Sequence, residues 1–176
     1  MTGKDFFNRV SNGSKDIVQQ VLDILGETRS SYCVIGGLAV NAYVEPVVSL
    51  DLDVVVGADG VGSMTRSAQQ RGLKVEQFEH SVNLSSPQSD LRVQVQTDPR
   101  YQAFIPKAAV KEVLGYHMRV ASLEDVLQGK VWAYMDQTRR PSKRQKDLAD
   151  IARLVEAYPE LMDSLPPTLR EHLGRL

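Results

Sequence analysis

Apolar residues recur at every third or fourth position between residues 15 and 28, and this spacing predicts an amphipathic helix that stops near Gly26. Further along, short apolar runs are separated by breaks that contain glycine and proline. We predict strands over residues 32–35, 52–56, 73–78 and 91–96, an edge strand at 119–121, and helices over 38–44 and 61–71. The run at 52–56 is apolar on both faces, which is typical of a central strand in a covered sheet.

The C-terminal third has a helical pattern. Helices are predicted over residues 123–137 and 147–157, joined by a basic connector at 139–146, with short helical pieces over 161–173. This change of pattern divides the chain into an α/β core, residues 1–121, and a C-terminal helical region, residues 122–176. The predicted fold class is therefore α+β, a mixed β-sheet with flanking helices followed by a C-terminal helical bundle.

Composition and charge exclude only a few classes of protein. The chain has 176 residues and a formal net charge of -1, so overall charge gives no reason to expect nucleic-acid binding. Cys33 is the single cysteine, which rules out an intrachain disulfide and leads us to expect a small buried residue in a cytoplasmic protein. No apolar run approaches the roughly 20 residues that span a bilayer, and the N-terminus has no signal-peptide core.

A glycine pair, Gly36-Gly37, separates a predicted strand from a predicted helix. Glycine lets backbone amides approach a ligand closely, and the start of a helix favours anions. The turn is therefore a candidate binding site for a triphosphate. The alternative is a tight turn that contains glycine for packing alone.

Asp51 and Asp53 lie two residues apart at the start of an apolar strand, so their side chains project from one face. Aspartate is disfavoured in strands, and adjacent carboxylates repel each other unless a cation neutralises them. Mg²⁺ binds such oxygens and usually carries substrate phosphates, which makes the pair a candidate metal site. Ser49 is a candidate for orienting a carboxylate or phosphate. The alternatives are solvated strand-end aspartates and a serine that serves the turn.

Lys130 falls within the apolar stripe of the first C-terminal helix, and Asp147 falls within that of the second. A charged residue on an inward face is seldom unpaired. One interpretation is a structural salt bridge between the helices. The other is that both residues line a cleft facing the aspartate pair, where Lys130 contacts phosphate.

The connector holds the one dense basic cluster of the sequence. Its members are Arg139, Arg140, Lys143, Arg144 and Lys146. We favour a solvated loop, since charge runs between helices are usually of that kind. The alternative is contact with RNA phosphates or a nucleotide tail.

These motifs resemble those of the nucleotidyltransferase superfamily, the polymerase-beta-like fold. Its signature is a Gly-Gly or Gly-Ser turn, a short helix and an Asp-x-Asp on the next strand, here Gly36-Gly37 and Asp51-Leu52-Asp53. Within the superfamily the chain looks most like the AbiEii-type toxin nucleotidyltransferases. The runs that carry this likeness are residues 34–39, 49–53, 122–130 and 146–151.

The resemblance implies a metal-dependent enzyme that moves a nucleoside monophosphate from a nucleoside triphosphate to a hydroxyl of RNA, such as tRNA, or of protein. It implies a toxin of a toxin–antitoxin or abortive-infection system, with a cognate antitoxin as partner and no membrane association. The implied catalytic residues are Asp51, Asp53, Lys130 and Asp147. The implied nucleotide-binding residues are Gly36, Gly37, Ser49 and Lys130. Asp51 and Asp53 are the implied ligands of Mg²⁺ or Mn²⁺.

One position departs from the superfamily pattern. A third carboxylate usually stands on a neighbouring strand, and here Gln94 occupies the matching position. An amide coordinates a metal only weakly and cannot act as a base. The alternative function is therefore a catalytically impaired nucleotide-binding or protein-interaction module of the same fold. A weaker alternative is a scaffold in which Lys130 and Asp147 are purely structural.

Overall fold

A computed structural model describes residues 1–175 and contains a seven-stranded mixed sheet. The strands are β1 (Tyr32–Ile35), β2 (Asp51–Val56), β3 (Lys74–Gln77), β4 (Ser81–Ser86), β5 (Ser89–Gln96), β6 (Ala109–Val113) and β7 (Tyr116–Val120). They are arranged in the order β3-β4-β5-β2-β1-β7-β6. β2 runs antiparallel to β1 and parallel to β5, while β1 runs parallel to β7. The polar starts of β2 and β5 therefore lie side by side.

Seven α-helices surround the sheet within the described residues. They are α1 (Gly3–Val10), α2 (Ile17–Glu27), α3 (Gly36–Val40), α4 (Val61–Gln70), α5 (Leu123–Met135), α6 (Pro141–Ala157) and α7 (Pro167–Leu173). Two 3-10 helices span Pro99–Lys107 and Pro159–Ser164. Helices α5 and α6 pack against each other, and both contact α3. This packing brings the inward faces of the C-terminal helices over the glycine turn that opens α3.

The predicted fold class is confirmed, because the mixed sheet and its flanking helices are present. The strand at 32–35 has the predicted bounds, and β2 starts one residue earlier than predicted. The two central strands were predictable because seven of their ten side chains are apolar and buried. The apolar core is a continuous cluster with members on both sides of residue 121. The division into two segments at that residue stays a prediction.

Three predicted elements were wrong in extent or place. Helix α3 starts at Gly36 and ends at Val40, not at 44, because the Asn41 side chain exchanges two hydrogen bonds with Val47 and turns the chain. The predicted edge strand at 119–121 is instead the end of β7, which finishes at Val120 and lies between β1 and β6, away from the edge. The connector is largely helical, since Pro141 starts α6 at the N1 position that proline favours.

Three elements escaped prediction, and one of them, β6, exposes three of its five residues and so shows no apolar pattern. Helix α1 is short and polar, and its start is fixed by a capping box between Thr2 and Asp5. Strand β4 buries only Val82 and Leu84, so its apolar pattern is too short to stand out. No helix within residues 1–175 has both the length and the apolar character needed to cross a membrane.

Candidate active site

The glycine turn lies directly against the second aspartate of β2. Gly36 has a φ of +71°, a left-handed conformation that other residues rarely adopt. A Cβ atom at this position would collide with Oδ2 of Asp53, because Ile35 pairs with Asp53 across the antiparallel β1–β2 ladder. At Gly37, a Cβ would come within 3.3 Å of the Ser49 Oγ. The turn therefore needs glycine both for its backbone angle and for the approach of Asp53.

Ser49 stands between the glycine turn and the first aspartate. The backbone N–H of Asp51 donates a 3.3 Å hydrogen bond to the Ser49 Oγ. This bond orders the entry into β2, so the turn role that the sequence left open for Ser49 is present in the structure. Neither Gly37 nor Ser49 lines the cavity described below. A direct contact of either residue with nucleotide stays a prediction.

Asp51 is paired with two cations. Its Oδ2 accepts a hydrogen bond from the Lys143 Nζ at 2.8 Å, and its Oδ1 lies 2.8 Å from the Arg92 Nε. Burial by itself would raise the pKa of Asp51, but the hydrogen bond and charge of Lys143, with the charge of Arg92, hold it below its ordinary value. The first aspartate is therefore a stable carboxylate.

Asp53 has a different environment. It is half-buried, and no side chain within residues 1–175 donates a hydrogen bond to its carboxylate. Burial raises the pKa of Asp53 to about 6, and the Asp51 charge adds to this shift while Lys130 opposes it. Keeping a half-buried carboxylate ionised costs free energy unless a cation lies beside it. The second aspartate is thus the better placed of the two to receive a cation.

Gln94 lies opposite Asp53 in the parallel β2–β5 register, and Arg92 lies opposite Asp51. Paired residues of neighbouring strands share a face, so the Gln94 amide points into the same cleft as the two carboxylates. No group of three or more histidine, cysteine, aspartate or glutamate side chains suited to a metal occurs in the described chain. The expected third carboxylate is therefore absent from this face, and an amide stands in its place.

The donors at this face fit Mg²⁺. Two carboxylates and an amide oxygen are hard ligands, and Mg²⁺ usually completes its coordination with substrate phosphates and water. The unpaired Asp53 carboxylate, whose pKa burial raises, is the particular feature that a cation would satisfy. Asp51 would share its oxygens with Lys143 and Arg92, because a carboxylate has about four lone-pair positions.

Lys130 and Asp147 form the interhelical salt bridge that the sequence suggested. The Lys130 Nζ lies 3.1 Å from Asp147 Oδ1 and 2.7 Å from Asp150 Oδ2. The Nε of Arg139 lies 2.7 Å from Asp147 Oδ2. Lys130 is 8% exposed and Asp147 is 1% exposed. Burial alone would lower the pKa of Lys130, but Asp150 and Asp147 outweigh it and the pKa is raised, so the ammonium stays charged.

The paired residues also line a cavity that Asp53 faces, so the salt bridge and the position in a cleft occur together, while contact of Lys130 with phosphate stays a prediction. The cavity has a volume of about 90 Å³. Its polar lining includes Asp53, Gln94, Lys130, Arg139 and Asp147, with Gly36 at the turn. Four of the predicted site residues, from the glycine turn, β2, α5 and α6, therefore meet at one place.

Asp51 opens onto a larger neighbouring groove of about 620 Å³. This groove shares Gln94 and Arg139 with the cavity. Its charged lining consists of Asp51, Glu76, Arg92, Arg139, Arg140 and Lys143. The site is therefore a small charged cavity beside a wider groove in which cations outnumber carboxylates.

The solvated-loop interpretation of the basic connector was wrong for its inward members. Arg139 and Lys143 bind Asp147 and Asp51, and Arg144 donates a 2.8 Å hydrogen bond to the carbonyl of Tyr134. Only Arg140 and Lys146 are exposed. The helical start at Pro141 explains the difference, since a helix places residues three and four apart on one face.

Sequence reasoning missed Arg92, Asp150 and the inward orientation of Lys143. Asp150 had a usable signal, because it lies three residues after Asp147 and so shares its helix face. Arg92 had none, since it reads as an ordinary polar position of a half-buried strand. Its place beside Asp51 depends on the β2–β5 register.

Solved structures with a similar fold include an adenylyltransferase and a nucleotidyltransferase-like protein. The crystal structure of ANT(2″)-Ia in complex with adenylyl-2″-tobramycin is 16% identical, covers 90% of this chain and 95% of that chain, and has a TM-score of 0.66. The lincomycin-bound lincosamide antibiotic adenylyltransferase LnuA is 11% identical, with coverage of 81% and 98% and a TM-score of 0.57. An antigenic nucleotidyltransferase-like protein from Paracoccidioides brasiliensis is 17% identical, with coverage of 98% and 94% and a TM-score of 0.52. At these identities the likeness shows the fold alone.

Comparison with curated protein sequences gives no match. A family match does exist, over residues 58–175, to the family described as "Nucleotidyl transferase AbiEii toxin, Type IV TA system". The matched range contains Lys130 and Asp147 and begins after the glycine turn and the aspartate pair. It spans more than half of the chain, and the fold agrees with it. The chain therefore belongs to the AbiEii nucleotidyl transferase family, within the nucleotidyltransferase superfamily.

Proposed function

We propose that this protein transfers a nucleoside monophosphate from a nucleoside triphosphate to a hydroxyl group of RNA. The hydroxyl oxygen bonds to the α-phosphorus, pyrophosphate leaves, and the hydroxyl proton passes to solvent water. The observation that carries the proposal is the meeting of Gly36, Asp53, Lys130 and Asp147 around one cavity beside the groove. In this proposal Asp51 and Asp53 hold Mg²⁺, with Gln94 as a further oxygen donor. The bound ion would supply charge neutralisation at the phosphoryl group that is transferred.

The chain's own residues have separate tasks. The turn at Gly36-Gly37 leaves space for phosphate oxygens near backbone amides. Lys130 presents an ammonium group whose pKa its two carboxylate partners raise, and Arg139 is held beside it through Asp147. Such preorganised cations stabilise charge that develops on phosphate without rearranging during the reaction. Gln94 can orient an incoming hydroxyl by hydrogen bonding, but it cannot take its proton.

RNA is the acceptor that the groove favours. Arg92, Arg139, Arg140 and Lys143 line it against Asp51 and Glu76. Arg92 is 64% exposed at its side chain, and Arg140 is exposed, so both are open to a phosphodiester. Proteins hold nucleic-acid backbones with cations of this kind. A tRNA end would suit the groove, and a protein acceptor is the competing outcome of the test below.

Labelling of an acceptor tests the activity. The protein is incubated with each common ribonucleoside triphosphate labelled at the α-phosphate, with Mg²⁺ and with either total RNA or a protein extract. We expect label in a band that ribonuclease removes and protease leaves. Asp51→Ala and Lys130→Met should reduce labelling by at least about a hundredfold, as losses of transition-state charge stabilisation do. The matched control is Asp163→Ala, an exposed aspartate outside the site. Equal labelling by the Asp51 variant and the parent protein would contradict the proposed mechanism.

A nucleotide-binding module without turnover is the second candidate, and Gln94 at the acid position favours it. Titration calorimetry with nucleoside triphosphates, with and without Mg²⁺, separates the two. Tight binding together with no label transfer to any acceptor supports the module. Absence of nucleotide binding counts against both functions.

Membership of a family described as toxins supports a toxin role with a cognate antitoxin. Induced expression in a bacterial host should arrest growth, and co-expression of the neighbouring gene should relieve the arrest. Asp51→Ala should be harmless under the same induction. Arrest by the Asp51 variant would show that toxicity does not depend on the proposed chemistry.

A further inference from the structure

Both oxygens of the first aspartate are already engaged by protein cations. Lys143, in the first turn of α6, lies 2.8 Å from Asp51 Oδ2, and Arg92, on β5, lies 2.8 Å from Oδ1. The two cations come from different elements, and the Lys143 side chain is only 29% exposed. The charge of Asp51 is therefore balanced by groups that the fold itself holds in place.

The position next to this pair is neutral. Gln94 stands on the same strand as Arg92 and opposite Asp53, where a third carboxylate would bring another negative charge. The remaining charges of the site are also paired, since Lys130 and Arg139 bind Asp147 and Asp150. Only Asp53 has no cationic partner within hydrogen-bond distance among the described residues.

The number of metal ions that the site can hold follows from this balance of charges. Sites that hold two divalent ions, roughly 3.5–4 Å apart, need enough negative ligands to offset the repulsion between the ions. Here Asp53 is the one carboxylate of the site that forms no ion pair with a described residue, and the Asp51 carboxylate is already matched by two cations. The amide of Gln94 adds an oxygen without charge. A first cation finds Asp53 and a shared oxygen of Asp51. A second would have to displace Lys143 or Arg92.

The geometry points to a one-cation site in which Lys143, assisted by Arg92, occupies the role of a second metal ion. This inference rests on the proposed function and adds to it the number of ions and the residue that sets this number. Lys143 is a positioning residue, because it acts through the Asp51 carboxylate. Gln94 and Lys143 have the same effect on metal binding. The neutral amide of Gln94 supplies no negative charge, Lys143 supplies a fixed positive charge, and both disfavour a second ion.

Counting bound Mn²⁺ tests the inference directly. The full chain is saturated in turn with each of the four α,β-methylene ribonucleoside triphosphates, none of which can transfer its nucleotide, and Mn²⁺ binding is followed by electron paramagnetic resonance. We expect one Mn²⁺ in each protein–nucleotide complex, and two in the double variant Gln94→Asp, Lys143→Met. Two ions in the parent protein would overturn the inference and leave the proposed function standing. Binding of neither Mn²⁺ nor nucleotide would overturn the proposed function itself. One ion in the double variant would show that Lys143 and Gln94 do not set the number of bound ions.

A single variant tests the part played by Lys143 with Mn²⁺ alone. Lys143→Met keeps the aliphatic stem and removes the charge, so Asp51 becomes free for metal and Mn²⁺ should bind about fivefold more tightly, the scale expected for a partly exposed ion pair. Lys143→Gln should act in the same direction, which guards against a fault of packing in one variant. The matched control is Lys15→Met, an exposed lysine that lines neither the cavity nor the groove, whose effect should stay below about twofold. Unchanged or weaker Mn²⁺ binding in both Lys143 variants would overturn the inference.

Discussion

At the scale of single residues, Lys130 shows how a buried charge is kept in a protein core. Its ammonium lies between Asp147 and Asp150 on the facing helix, at 3.1 Å and 2.7 Å. Isolated, such a group would deprotonate or be expelled, because burial disfavours the charged form. The two carboxylates make the charged form of Lys130 the favoured one. The same contacts therefore stabilise the fold and keep a cation in the cavity.

Lys130→Met should destabilise the protein by about 3 kcal/mol, because it removes the buried cation that Asp147 and Asp150 share and leaves each of them with a single, more exposed arginine. Urea unfolding measures the loss. Lys15→Met is the control, an exposed lysine whose replacement should change stability by less than about 0.5 kcal/mol. A Lys130 variant as stable as the Lys15 variant would show that the cluster contributes nothing to folding.

Cys33 illustrates the opposite case, a titratable group that the fold makes inert. It lies on β1 with 0% exposure, and burial raises its pKa to about 12. The thiolate is the reactive form and is not populated far below that pKa. The native protein should therefore resist alkylation by iodoacetamide at about pH 8, while the protein unfolded in guanidinium should react completely. Rapid labelling of the folded protein, followed by mass spectrometry, would contradict this.

At the scale of elements, the turn between β1 and α3 is the most demanding part of the site. The left-handed angle of Gly36 and the nearness of Asp53 both exclude a side chain. The turn thereby sets how closely the start of α3 approaches the aspartate pair. Its position depends on the antiparallel pairing of β1 with β2.

Gly36→Ala should lower the free energy of unfolding by at least about 1–2 kcal/mol, the cost of a left-handed backbone with a Cβ, and should also abolish nucleotide binding. Gly26→Ala is the matched control. Gly26 lies within helix α2 with no atom within 4 Å of the added Cβ, so the substitution should stabilise the protein by up to about 1 kcal/mol. Urea unfolding and calorimetry with nucleotide check both variants. Normal nucleotide binding by Gly36→Ala would refute the role assigned to the turn.

Sequence patterns predicted the elements unevenly, for physical reasons. Strands β1 and β2 are apolar on both faces, a pattern that few other structures share. The start of α6 carries basic residues without apolar periodicity. Its helical state depends on Pro141, on the ion pair of Lys143 with β2 and on the hydrogen bond from Arg144 to α5. Apolar patterns along the sequence indicate which residues are buried. The basic residues at the start of α6 are held by charged interactions, which leave no such pattern.

At the scale of the whole molecule, one aromatic contact joins the two segments that the sequence suggested. Trp132 on α5 stacks on Phe104 with ring centroids 5.6 Å apart and meets Tyr101 edge-on at 5.2 Å. Phe104 and Tyr101 belong to the 3-10 helix Pro99–Lys107, which precedes the proposed boundary. The C-terminal helices and the sheet layer therefore share part of their core.

This shared core predicts a single cooperative unfolding transition. Trp132 is the one tryptophan of the chain, so its fluorescence reports on the contact between the segments, whereas far-ultraviolet circular dichroism reports on all helices and strands. In urea the two signals should change with the same midpoint, as two-state unfolding requires. A fluorescence change that precedes the loss of ellipticity would instead show that the C-terminal helices detach first.

The sequence by itself determined the fold class, the central strands, the glycine turn and the aspartate pair, because periodicity and short spacings are local properties. It also placed Lys130 and Asp147 on inward helix faces. Only the tertiary structure decided which charges meet. Lys143 reaches Asp51 across 92 positions of the chain, and the parallel register of β2 with β5 sets Gln94 beside Asp53. Such pairings depend on strand register and helix packing, which no local pattern encodes, and they turn a recognisable aspartate motif into a site with its own charge balance.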